Sequence, residues 1–253
     1  MRFALMFLLA AVHPMLLLHD YVHGSEPDNQ GFEFVSLNCG LRDPPYRDEV
    51  TNISYVSDDA YITTGEKHDV SSGYSSLYKS DLTLRSFPSG DWNCYTIPSP
   101  ARGRKYLVRA RFLHGNYDGR GNTRVMFDLY IGLDYWFTVY ITNAAEKYTA
   151  EAITVTVASS LSVCLRNTGH GTPFISSLEL RPMHSEMYPV VKVNRSLGVA
   201  TRINMGASNL LRCPFSTTST ESNAISDSSL ATESGASTVF SVSIVQQLDK
   251  LQH

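Results

Sequence analysis

Two stretches in the middle of the chain alternate apolar and polar residues, and this alternation constrains the fold more than any other feature. The first is 105–113, KYLVRARFL, and the second is 124–132, RVMFDLYIG. Successive side chains of a β-strand point to opposite faces, so a period of two is typical of a strand with one buried face. To the buried faces we assign Tyr106, Val108, Ala110, Phe112, Val125, Phe127, Leu129 and Ile131. Lys105, Arg109 and Arg111 then lie on the opposite, polar face of the first strand.

Further strands are predicted on the C-terminal side of these two. Residues 153–165 offer two short strands joined at Ser159-Ser160, and 174–180 offers another. No window of helical length places apolar residues at positions i, i+3, i+4 and i+7, as an amphipathic helix requires. Many short strands separated by Gly, Pro, Asn and Asp are typical of an all-β protein. We predict a single antiparallel β-sandwich, or jelly roll, over 31–182 with almost no helix.

The N-terminus has the composition of a secretory signal peptide. Arg2 supplies the positive charge, residues 3–18 are almost entirely apolar, and Gly24 is small enough to precede a cleavage site. An uncleaved membrane anchor is the alternative, but this apolar stretch is shorter than the roughly 20 residues that a spanning helix needs. We therefore predict that 1–24 is removed and that the mature chain is secreted.

Secretion changes how the cysteines are interpreted, because disulfides form in oxidising compartments. The four cysteines are Cys39, Cys94, Cys164 and Cys213. They allow three fully paired connectivities, and a buried thiol is the alternative for any of them. None belongs to a C-x-x-C motif, so we expect no zinc site. Two Asn-x-Ser triplets predict glycosylation at Asn52 and Asn194.

The composition changes after about Arg212. Within 216–243, fifteen of 28 residues are Ser or Thr. Such a segment cannot bury enough apolar surface to offset the entropy lost on ordering, so we predict that it lacks stable structure. A glycosylated, mucin-like stalk is the alternative. The predicted organisation is a signal peptide at 1–24, a β domain at 25–212 and a tail at 213–253.

Composition and motifs exclude several classes of function. The chain has 253 residues, a formal net charge of −3 and no basic stripe, so nucleic acid is not an expected partner. It lacks a G-x-S-x-G motif, an H-E-x-x-H motif and a phosphate-binding loop, and we expect neither catalytic activity nor a cofactor. Scattered acidic residues could supply a carboxylate pair for glycoside hydrolysis, but positions in turns and on the solvent face explain them better.

The segment 114–122, HGNYDGRGN, places a polar and aromatic loop between two predicted strands. Its alternating oxygen-bearing residues suggest a calcium loop, but Arg120 stands at the third ligand position and Thr123 replaces the required Gly, so we predict no metal there. A hairpin turn explains the Asn, Asp and Gly residues, and composition alone favours this plain turn. His114 and Tyr117 are not needed for a turn, and an aromatic ring beside hydrogen-bonding groups suits sugar recognition.

Five blocks of sequence, in this order, resemble one known family. They are GFEFVSLNCGLRDPPYRDEVTNISYVSDDAYITTGE, LRSFPSGDWNCYTI, KYLVRARFLHGNYDG, FDLYIGLDYW and SVCLRNTGHGTPFISSLELRPM. Together they resemble the malectin-like extracellular region of plant leucine-rich-repeat receptor-like kinases, from about Gly31 to Arg212. The resemblance implies a β-sandwich related to malectin, a lectin of the endoplasmic reticulum. It also implies a role at the plant cell surface in sensing cell-wall carbohydrate or binding peptide ligands.

Complete receptors of this family continue into a second malectin-like half, leucine-rich repeats, a transmembrane helix and a kinase domain. This chain reaches the segment that enters the second half, RINMGASNLLR at 202–212, and then continues as CPFSTTSTESN. We therefore expect either a short natural form or an incomplete gene model, with a tail foreign to the fold. Full-length members are single-pass plasma-membrane proteins, whereas no segment of this chain after 1–24 is apolar enough to cross a bilayer.

The resemblance also suggests where a ligand binds. Malectin binds sugar through aromatic residues on loops at one end of the sandwich, and Tyr55 and Tyr117 fall near two such positions. We predict a shallow ligand-binding rim made by 54–61 and 115–122, because both stretches interleave Tyr with Asp or Asn. The candidate ligand-binding residues are Tyr55, Asp58, Asp59, Tyr61, His114, Asn116, Tyr117 and Asp118. No metal ligand and no catalytic residue is predicted.

Two functions from different classes fit these observations. The first is a non-catalytic extracellular module that recognises a cell-wall or N-glycan saccharide, or a peptide. The second is a structural fragment of a receptor that pairs with another receptor ectodomain and binds no sugar. The positions of Tyr55 and Tyr117 discriminate between them. If the two rings point to opposite ends of the fold and do not converge on one rim, the saccharide hypothesis loses its main support.

Overall fold

A computed structural model describes residues 34–98, 102–121, 124–205 and 240–249, with side chains as far as Val199. In these ranges the chain forms fifteen β-strands and one short 3-10 helix, Lys79–Asp81, and no α-helix. No helix in the same ranges is long and apolar enough to cross a membrane. The predicted signal peptide at 1–24 lies outside the described residues.

The strands have the following bounds. They are β1 (Val35–Asn38), β2 (Tyr46–Arg47), β3 (Ser54–Ser57), β4 (Glu66–Asp69), β5 (Thr83–Ser86), β6 (Trp92–Pro98), β7 (Lys105–Leu113), β8 (Val125–Ile131), β9 (Asp134–Ile141), β10 (Lys147–Val155), β11 (Ser160–His170), β12 (Phe174–Ile175), β13 (Ser177–Met183), β14 (Arg195–Met205) and β15 (Phe240–Asp249).

The largest sheet, here called the main sheet, has eight strands in the order β15-β14-β10-β7-β13-β1-β3-β2. Its neighbouring strands are antiparallel except β1 and β3, which run parallel with Leu37 opposite Val56. Strand β7 lies between β10 and β13, so Arg109 has Glu151 opposite it on one side and Glu179 on the other.

Two smaller sheets complete the fold, with the strand orders β6-β11-β8-β9 and β12-β5-β4. We call the four-stranded one the minor sheet. Alternate residues of β8 are buried, as the period of two predicts, and they share one core cluster with the inward side chains of β7 and β13. Phe127, for example, packs edge-on against Phe112 of β7. The prediction of an all-β sandwich is confirmed, with the parallel pair β1–β3 as the departure from an antiparallel arrangement.

The polar face of β7 is not exposed to solvent, so the prediction of a half-buried strand is wrong for this element. All its residues from Lys105 to Leu113 are buried. Arg109 pairs with Glu151 and lies 3.6 Å from Glu179, while Arg111 lies 2.6 Å from Asp81. Because a buried charge needs an opposite charge or hydrogen bonds, the partners on neighbouring elements are what allow these arginines to be buried.

The segment 184–194 covers another part of this outer face. Lys105 Nζ donates to the carbonyls of Ser185 and Tyr188, each at 3.0 Å, and burial lowers the pKa of Lys105. Leu107 packs in a second apolar cluster that includes Val191. Both faces of β7 are therefore buried, one by apolar packing across the sandwich and the other by ion pairs and a covering loop.

A disulfide joins Cys94 on β6 to Cys164 on β11, which stand directly opposite each other in the minor sheet. Cys39 is a buried free thiol. Burial, and to a lesser extent the carboxylate of Asp58, raises the pKa of Cys39 well above its ordinary value. The structure thus assigns one pairing where the sequence left three connectivities open, and Cys213 lies outside the described residues.

Strand β15 falls within the tail that the sequence predicts to lack structure. It pairs antiparallel with β14, from Phe240 opposite Met205 to Asp249 opposite Arg195. The prediction, made for 216–243, is therefore wrong for 240–243, where β15 begins; the run FSVSIVQQLD at 240–249 alternates apolar and polar residues and adds a strand to the main sheet. Residues 206–239 lie outside the described part of the chain, and the domain boundary near Arg212 stays a prediction.

Candidate functional site

A cleft of about 500 Å³ lies beside β4 and the 3-10 helix. It is bounded by the turn after β1, the connection after β4 and the segment that leads into β5. Its lining residues are Leu41, Arg42, Asp43, Asp69, Val70, Ser71, Ser72, Tyr74, Lys79, Leu82 and Thr83. Ligand pockets in proteins have volumes of roughly 300–1,000 Å³, so the cleft is large enough to hold part of a peptide or a short saccharide.

Two exposed ion pairs border the cleft. Arg42 Nη1 lies 2.8 Å from Asp69 Oδ2, and Lys79 Nζ lies 3.4 Å from Asp43 Oδ2. The four side chains are each between 49% and 69% exposed. Exposed pairs of this kind contribute at most about 1 kcal/mol, so a ligand can replace either partner at little cost. The cleft therefore offers charges of both signs to a polar ligand.

One wall of the cleft is held by the loop that follows β7. Ser71 donates through its backbone N–H to the carbonyl of Gly115 at 2.9 Å, and through its hydroxyl to the carbonyl of Asn116 at 2.7 Å. Gly115 has a φ of 52°, and a Cβ built on it would lie 2.5 Å from the Cβ of Val70. Only glycine fits this contact without displacing the cleft wall.

The first of the predicted aromatic ligand residues, Tyr55, is buried. Its side chain is 1% exposed, its ring stacks on that of Tyr46 at a centroid distance of 5.7 Å, and its hydroxyl donates to Glu179 at 2.8 Å. The neighbouring Val56 packs against the core, so Tyr55 lies on the outer face of the main sheet. The prediction that Tyr55 presents an exposed ring is therefore wrong.

Asp58 is equally inaccessible, with 0% exposure. Its carboxylate accepts hydrogen bonds from Arg85 Nε at 2.6 Å, from Arg85 Nη2 at 2.9 Å and from the Tyr95 hydroxyl at 2.9 Å. The backbone N–H of Gly40 donates to it as well, at 3.1 Å. These four hydrogen bonds occupy the carboxylate, so Asp58 stabilises the fold and has no oxygen left for a ligand hydroxyl.

Asp59 and Tyr61 complete the predicted residues of the first stretch. Asp59 is 58% exposed but binds Lys67 Nζ at 2.5 Å and Arg85 Nη2 at 2.7 Å, and the hydrogen bond from Lys67 lowers its pKa. Tyr61 is half-buried and packs against the core. The first stretch thus contributes mainly structural contacts.

His114 and Asn116 in the second stretch also have structural partners. His114 is 1% exposed, and its Nδ1 accepts a hydrogen bond from the backbone N–H of Asn116 at 3.1 Å. Burial lowers the pKa of His114, and the nearby carboxylate of Asp118 opposes that shift only in part. The side-chain oxygen of Asn116 in turn accepts from the backbone N–H of Gly121 at 2.9 Å. These contacts fix the shape of a turn, as the plain hairpin hypothesis expects.

Tyr117 is half-buried among other rings. Its ring centroid lies 5.0 Å from those of His68 and His114 and 5.8 Å from that of Phe174. Burial, followed by the charge of Asp118, raises the pKa of Tyr117 to about 12. Because Tyr117 packs against the core cluster whereas Tyr55 lies on the outer face, the two rings lie on opposite sides of the main sheet and do not form one rim.

The described residues show no arrangement that suggests metal binding or covalent catalysis. No group of three or more His, Cys, Asp or Glu side chains in these ranges could hold a metal ion. The hydroxyl of Ser86 lies 2.9 Å from His68 Nε2, and Glu66 lies 3.7 Å from the same nitrogen. In a Ser-His-acid relay the acid binds the other ring nitrogen, so this trio lacks the geometry of a nucleophile and its base.

A family model for the malectin-like domain matches residues 37–220, which is more than half of the chain. The chain belongs to the malectin-like domain family. Receptor kinases of Arabidopsis thaliana contain similar segments. A putative leucine-rich repeat receptor-like protein kinase, At2g19210, is 43% identical over 159 residues, and the LRR receptor-like serine/threonine-protein kinase IOS1 is 41% identical over 176 residues. These matches cover 61% and 69% of this chain but only 18% and 19% of the kinases.

Solved malectin-like ectodomains have the same fold. The ANX1 ectodomain from Arabidopsis thaliana matches 71% of this chain and 51% of its own, with a TM-score of 0.57 and 16% identity. The plant receptor-like kinase FER matches 68% of this chain and 48% of its own, with a TM-score of 0.56 and 19% identity. A third structure, of the plant peptide RALF23 in complex with FER and LLG2, matches 70% of this chain and 49% of its own, with a TM-score of 0.53 and 16% identity. This malectin-like domain therefore spans about half the length of the ectodomains that it matches.

Sequence reasoning missed the residues that line the cleft of this malectin-like domain. Arg42 and Asp69 are 27 residues apart, and Lys79 and Asp43 are 36 apart, so no local motif connects them. The sequence contains one weak indication of this cleft. The connection after β4 includes SSGYSS at 71–76, which combines an aromatic ring with four serine hydroxyls. Of the two predicted stretches, 115–122 contacts the cleft wall through Gly115 and Asn116. The stretch 54–61 contacts it through the Ser57 hydroxyl, which donates to the carbonyl of Leu41 at 3.2 Å.

Proposed function

We propose that this malectin-like domain is a non-catalytic, extracellular recognition module of a receptor-like kinase type protein, and that the cleft beside β4 is its ligand site. The observation that carries the proposal is the combination of a cleft of about 500 Å³ with two exposed, easily separated ion pairs on its border. The relatives of the domain are receptor kinases, and its solved neighbours are ectodomains, which supports an extracellular position.

A peptide segment suits the cleft better than a neutral saccharide. A peptide carries both amide groups and charged side chains, and the cleft supplies Arg42 and Lys79 for acidic groups and Asp43 and Asp69 for basic ones. Its lining includes Leu41, Val70 and Leu82, which can pack against an apolar side chain. A solved neighbour of low sequence identity is a complex that contains a peptide, RALF23, with FER and LLG2. That complex supports the class of ligand and not its identity for this chain.

Saccharide binding at the rim of 54–61 and 115–122 has less support. The resemblance to malectin suggests it, but Tyr55 is buried and Asp58 is fully bonded within the fold. Among the described residues that line the cleft, Tyr74 is the single aromatic residue on which a sugar ring could stack. An ectodomain fragment that binds no ligand and pairs with another receptor is the alternative function, which an absence of peptide binding would favour.

Binding to a peptide is tested with the secreted chain immobilised on a biosensor. The probes are synthetic RALF23 and a scrambled peptide of the same composition. We expect saturable binding of RALF23 that weakens about tenfold in the double variant Arg42→Ala/Asp69→Ala, because both charges that a ligand would meet at one border are removed. The matched control is Leu77→Ala, which truncates a side chain that is 67% exposed and does not line the cleft. Absence of binding, equal binding to the scrambled peptide, or equal binding by the double variant would contradict the proposal that the cleft binds a peptide of this kind.

The extracellular position has its own test. Asn52 and Asn194 are both exposed. Asn52 lies on the turn between β2 and β3, and Asn194 lies on the turn that precedes β14. When the complete chain is expressed in plant cells, we expect it in the medium with N-glycans on both sites, detected as a mass shift on glycosidase treatment. A product that stays in the cytosol and carries no glycan would contradict this part of the proposal.

A further inference from the structure

The outward face of the minor sheet carries exposed aromatic side chains that neither the core nor the cleft uses. Trp92 on β6 and Tyr135 and Tyr140 on β9 are 48%, 47% and 54% exposed. Tyr130 on β8 lies between Trp92 and Tyr135. Its ring centroid is 4.6 Å from that of Trp92 and 5.8 Å from that of Tyr135. We call Trp92, Tyr130, Tyr135 and Tyr140 the aromatic face. Trp92, Tyr130 and Tyr135 form a contiguous group of partly exposed rings, which is unusual on a soluble domain and marks an interaction site.

The register of the minor sheet explains why these rings share one face. Cys94, Cys164, Tyr130 and Tyr135 form one row across the four strands, and Tyr140 stands opposite Met126 in another. Alternate residues of β8 point into the core, which places Met126, Asp128 and Tyr130 on the outward side. The disulfide between Cys94 and Cys164 joins β6 to β11 within the row of Tyr130 and fixes the spacing of the strands below the rings.

Polar side chains lie among these rings and already bind one another. The Thr138 hydroxyl donates to Asp128 at 2.6 Å and lies 2.8 Å from the Tyr135 hydroxyl. Arg166 lies 3.6 Å from Asp128 and donates to the Tyr130 hydroxyl at 3.4 Å. Because each of these side chains is held by the next, the aromatic face is ordered before a ligand arrives. Such preorganisation reduces the entropy lost on binding.

The charges on this face cancel, since Asp128 and Arg166 are paired with each other. Among the outward side chains next to them, Thr96, Ser162 and Met126 are uncharged, and the exposed His170 stands opposite Met126. A face without net charge does not select an anionic or a cationic ligand. Aromatic rings pack against the C–H face of a sugar ring, and the Tyr and Thr hydroxyls and the Asp128 carboxylate can exchange their hydrogen bonds for bonds to sugar hydroxyls.

We propose that the aromatic face is a binding platform for a neutral saccharide chain. Its dimensions fit this ligand better than a protein partner. Four strands spaced about 4.8 Å apart and seven residues long give a face of roughly 19 by 23 Å, or about 400 Å². A standard protein interface covers about 800 Å² on each partner. An extended saccharide needs only a strip across such a face.

Neither predicted glycosylation site belongs to a strand of the minor sheet. Asn52 and Asn194 lie next to β3 and β14 of the main sheet. The aromatic face also shares no residue with the cleft. Saccharide binding here is therefore independent of the ligand proposed for the cleft, and either can fail without the other.

The test is affinity electrophoresis of the complete secreted chain in native gels that contain a soluble polysaccharide. The probes are xyloglucan, galactomannan and mixed-linkage β-glucan, with polygalacturonate as the anionic comparison. We expect at least one neutral polysaccharide to retard the protein, and Trp92→Ala and Tyr135→Ala each to weaken that retardation about tenfold, the effect of removing a principal contact. Leu77→Ala and the cleft variant Arg42→Ala/Asp69→Ala should be retarded like the unmodified protein.

Tryptophan fluorescence of the unmodified protein gives a measurement that does not depend on the variants folding. The chain has two tryptophans, of which Trp92 is 48% exposed and Trp136 is 3% exposed. A saccharide that covers Trp92 should shift its emission to shorter wavelength. The proposal is overturned if no neutral polysaccharide retards the protein or shifts this emission, or if retardation is the same in both face variants. It is also overturned if sedimentation shows a dimer that Trp92→Ala converts to monomer, because the face would then join two copies of the chain.

Discussion

Arg109 and Glu151 stand directly opposite each other on β7 and β10 and form an ion pair inside the protein. On the other side of Arg109, Glu179 accepts hydrogen bonds from Tyr55 at 2.8 Å and from Arg181 at 2.7 Å. The positive charges of Arg109 and Arg181 thus balance the negative charges of Glu151 and Glu179 on one buried face. Removing one member of such a group leaves the opposite charge buried without compensation, which costs far more than the group contributes when complete.

Replacing Arg109 by Leu should therefore lower the free energy of unfolding by about 3–5 kcal/mol. Urea denaturation followed by circular dichroism measures this change. The control is Arg42→Ala, which removes one partner of an exposed pair and should cost less than about 1 kcal/mol. Equal losses in the two variants would show that the outer face of β7 is open to water.

The disulfide between Cys94 and Cys164 closes a segment with a sequence separation of 70. A cross-link of this length restricts the unfolded chain, so the double variant Cys94→Ala/Cys164→Ala should lose about 4 kcal/mol of stability. Thermal unfolding of the oxidised protein and of the variant measures the difference. Addition of a reductant should bring the oxidised protein toward the variant and leave the variant unchanged. If the variant is as stable as the oxidised protein, the pairing assigned here does not form in solution.

The buried His114 should make stability depend on pH in a defined direction. Its pKa in the folded protein is below 6.5, so below that pH the unfolded chain binds a proton that the folded chain resists. Stability contributed by neutral His114 is thus complete above pH 6.5 and is lost as the pH falls toward the lowered pKa, by at most about 1.4 kcal/mol per pH unit. Urea midpoints measured between about pH 7 and pH 5 should fall less steeply for His114→Gln. The exposed His170→Gln serves as the control and should follow the unmodified protein.

Tyr117 should behave as a packing residue. Its ring contacts His68, His114 and Phe174, so Tyr117→Ala removes apolar packing at the edge of the core. We expect a loss of about 2 kcal/mol, less than the 3–5 kcal/mol typical of a fully buried ring. Differential scanning calorimetry measures the shift, and Tyr117→Phe, which keeps the ring, should remain close to the unmodified protein. A melting temperature unchanged in the alanine variant would instead restore the hypothesis of an exposed ligand-binding ring.

The sequence predicts the inward residues of β7 and β8 correctly because apolar burial produces a local pattern with a period of two. It does not predict that the charged face of β7 is buried. The partners that compensate Arg109 and Arg111 are 42 and 30 residues away, on β10 and in the 3-10 helix. Local pattern therefore identifies the strand, whereas the environment of its second face depends on contacts distant in sequence.

The candidate site shows the same division. The resemblance to malectin suggested two loops as the ligand site. Tyr55, however, belongs to β3, and its ring lies on the outer face of the main sheet, whereas Tyr117 packs against the core. The aromatic face was equally hidden in the sequence, because it is carried by β6, β8 and β9 and of these three only β8 was predicted as a strand. Trp92, Tyr130 and Tyr135 come together only through the register of the strands of the minor sheet.

The position of β1 in the middle of the main sheet determines when the protein can finish folding. β1 pairs with β13, and the hydrogen bond from Tyr55 to Glu179 spans 124 residues. During synthesis, β1 can therefore pair with β3 but lacks its partner β13 until the chain has been extended beyond Met183. Long-range pairing of this kind slows folding and leaves strand edges exposed in the meantime. Translation products that stop before β13 should fail to fold as a domain and should depend on chaperones for their solubility.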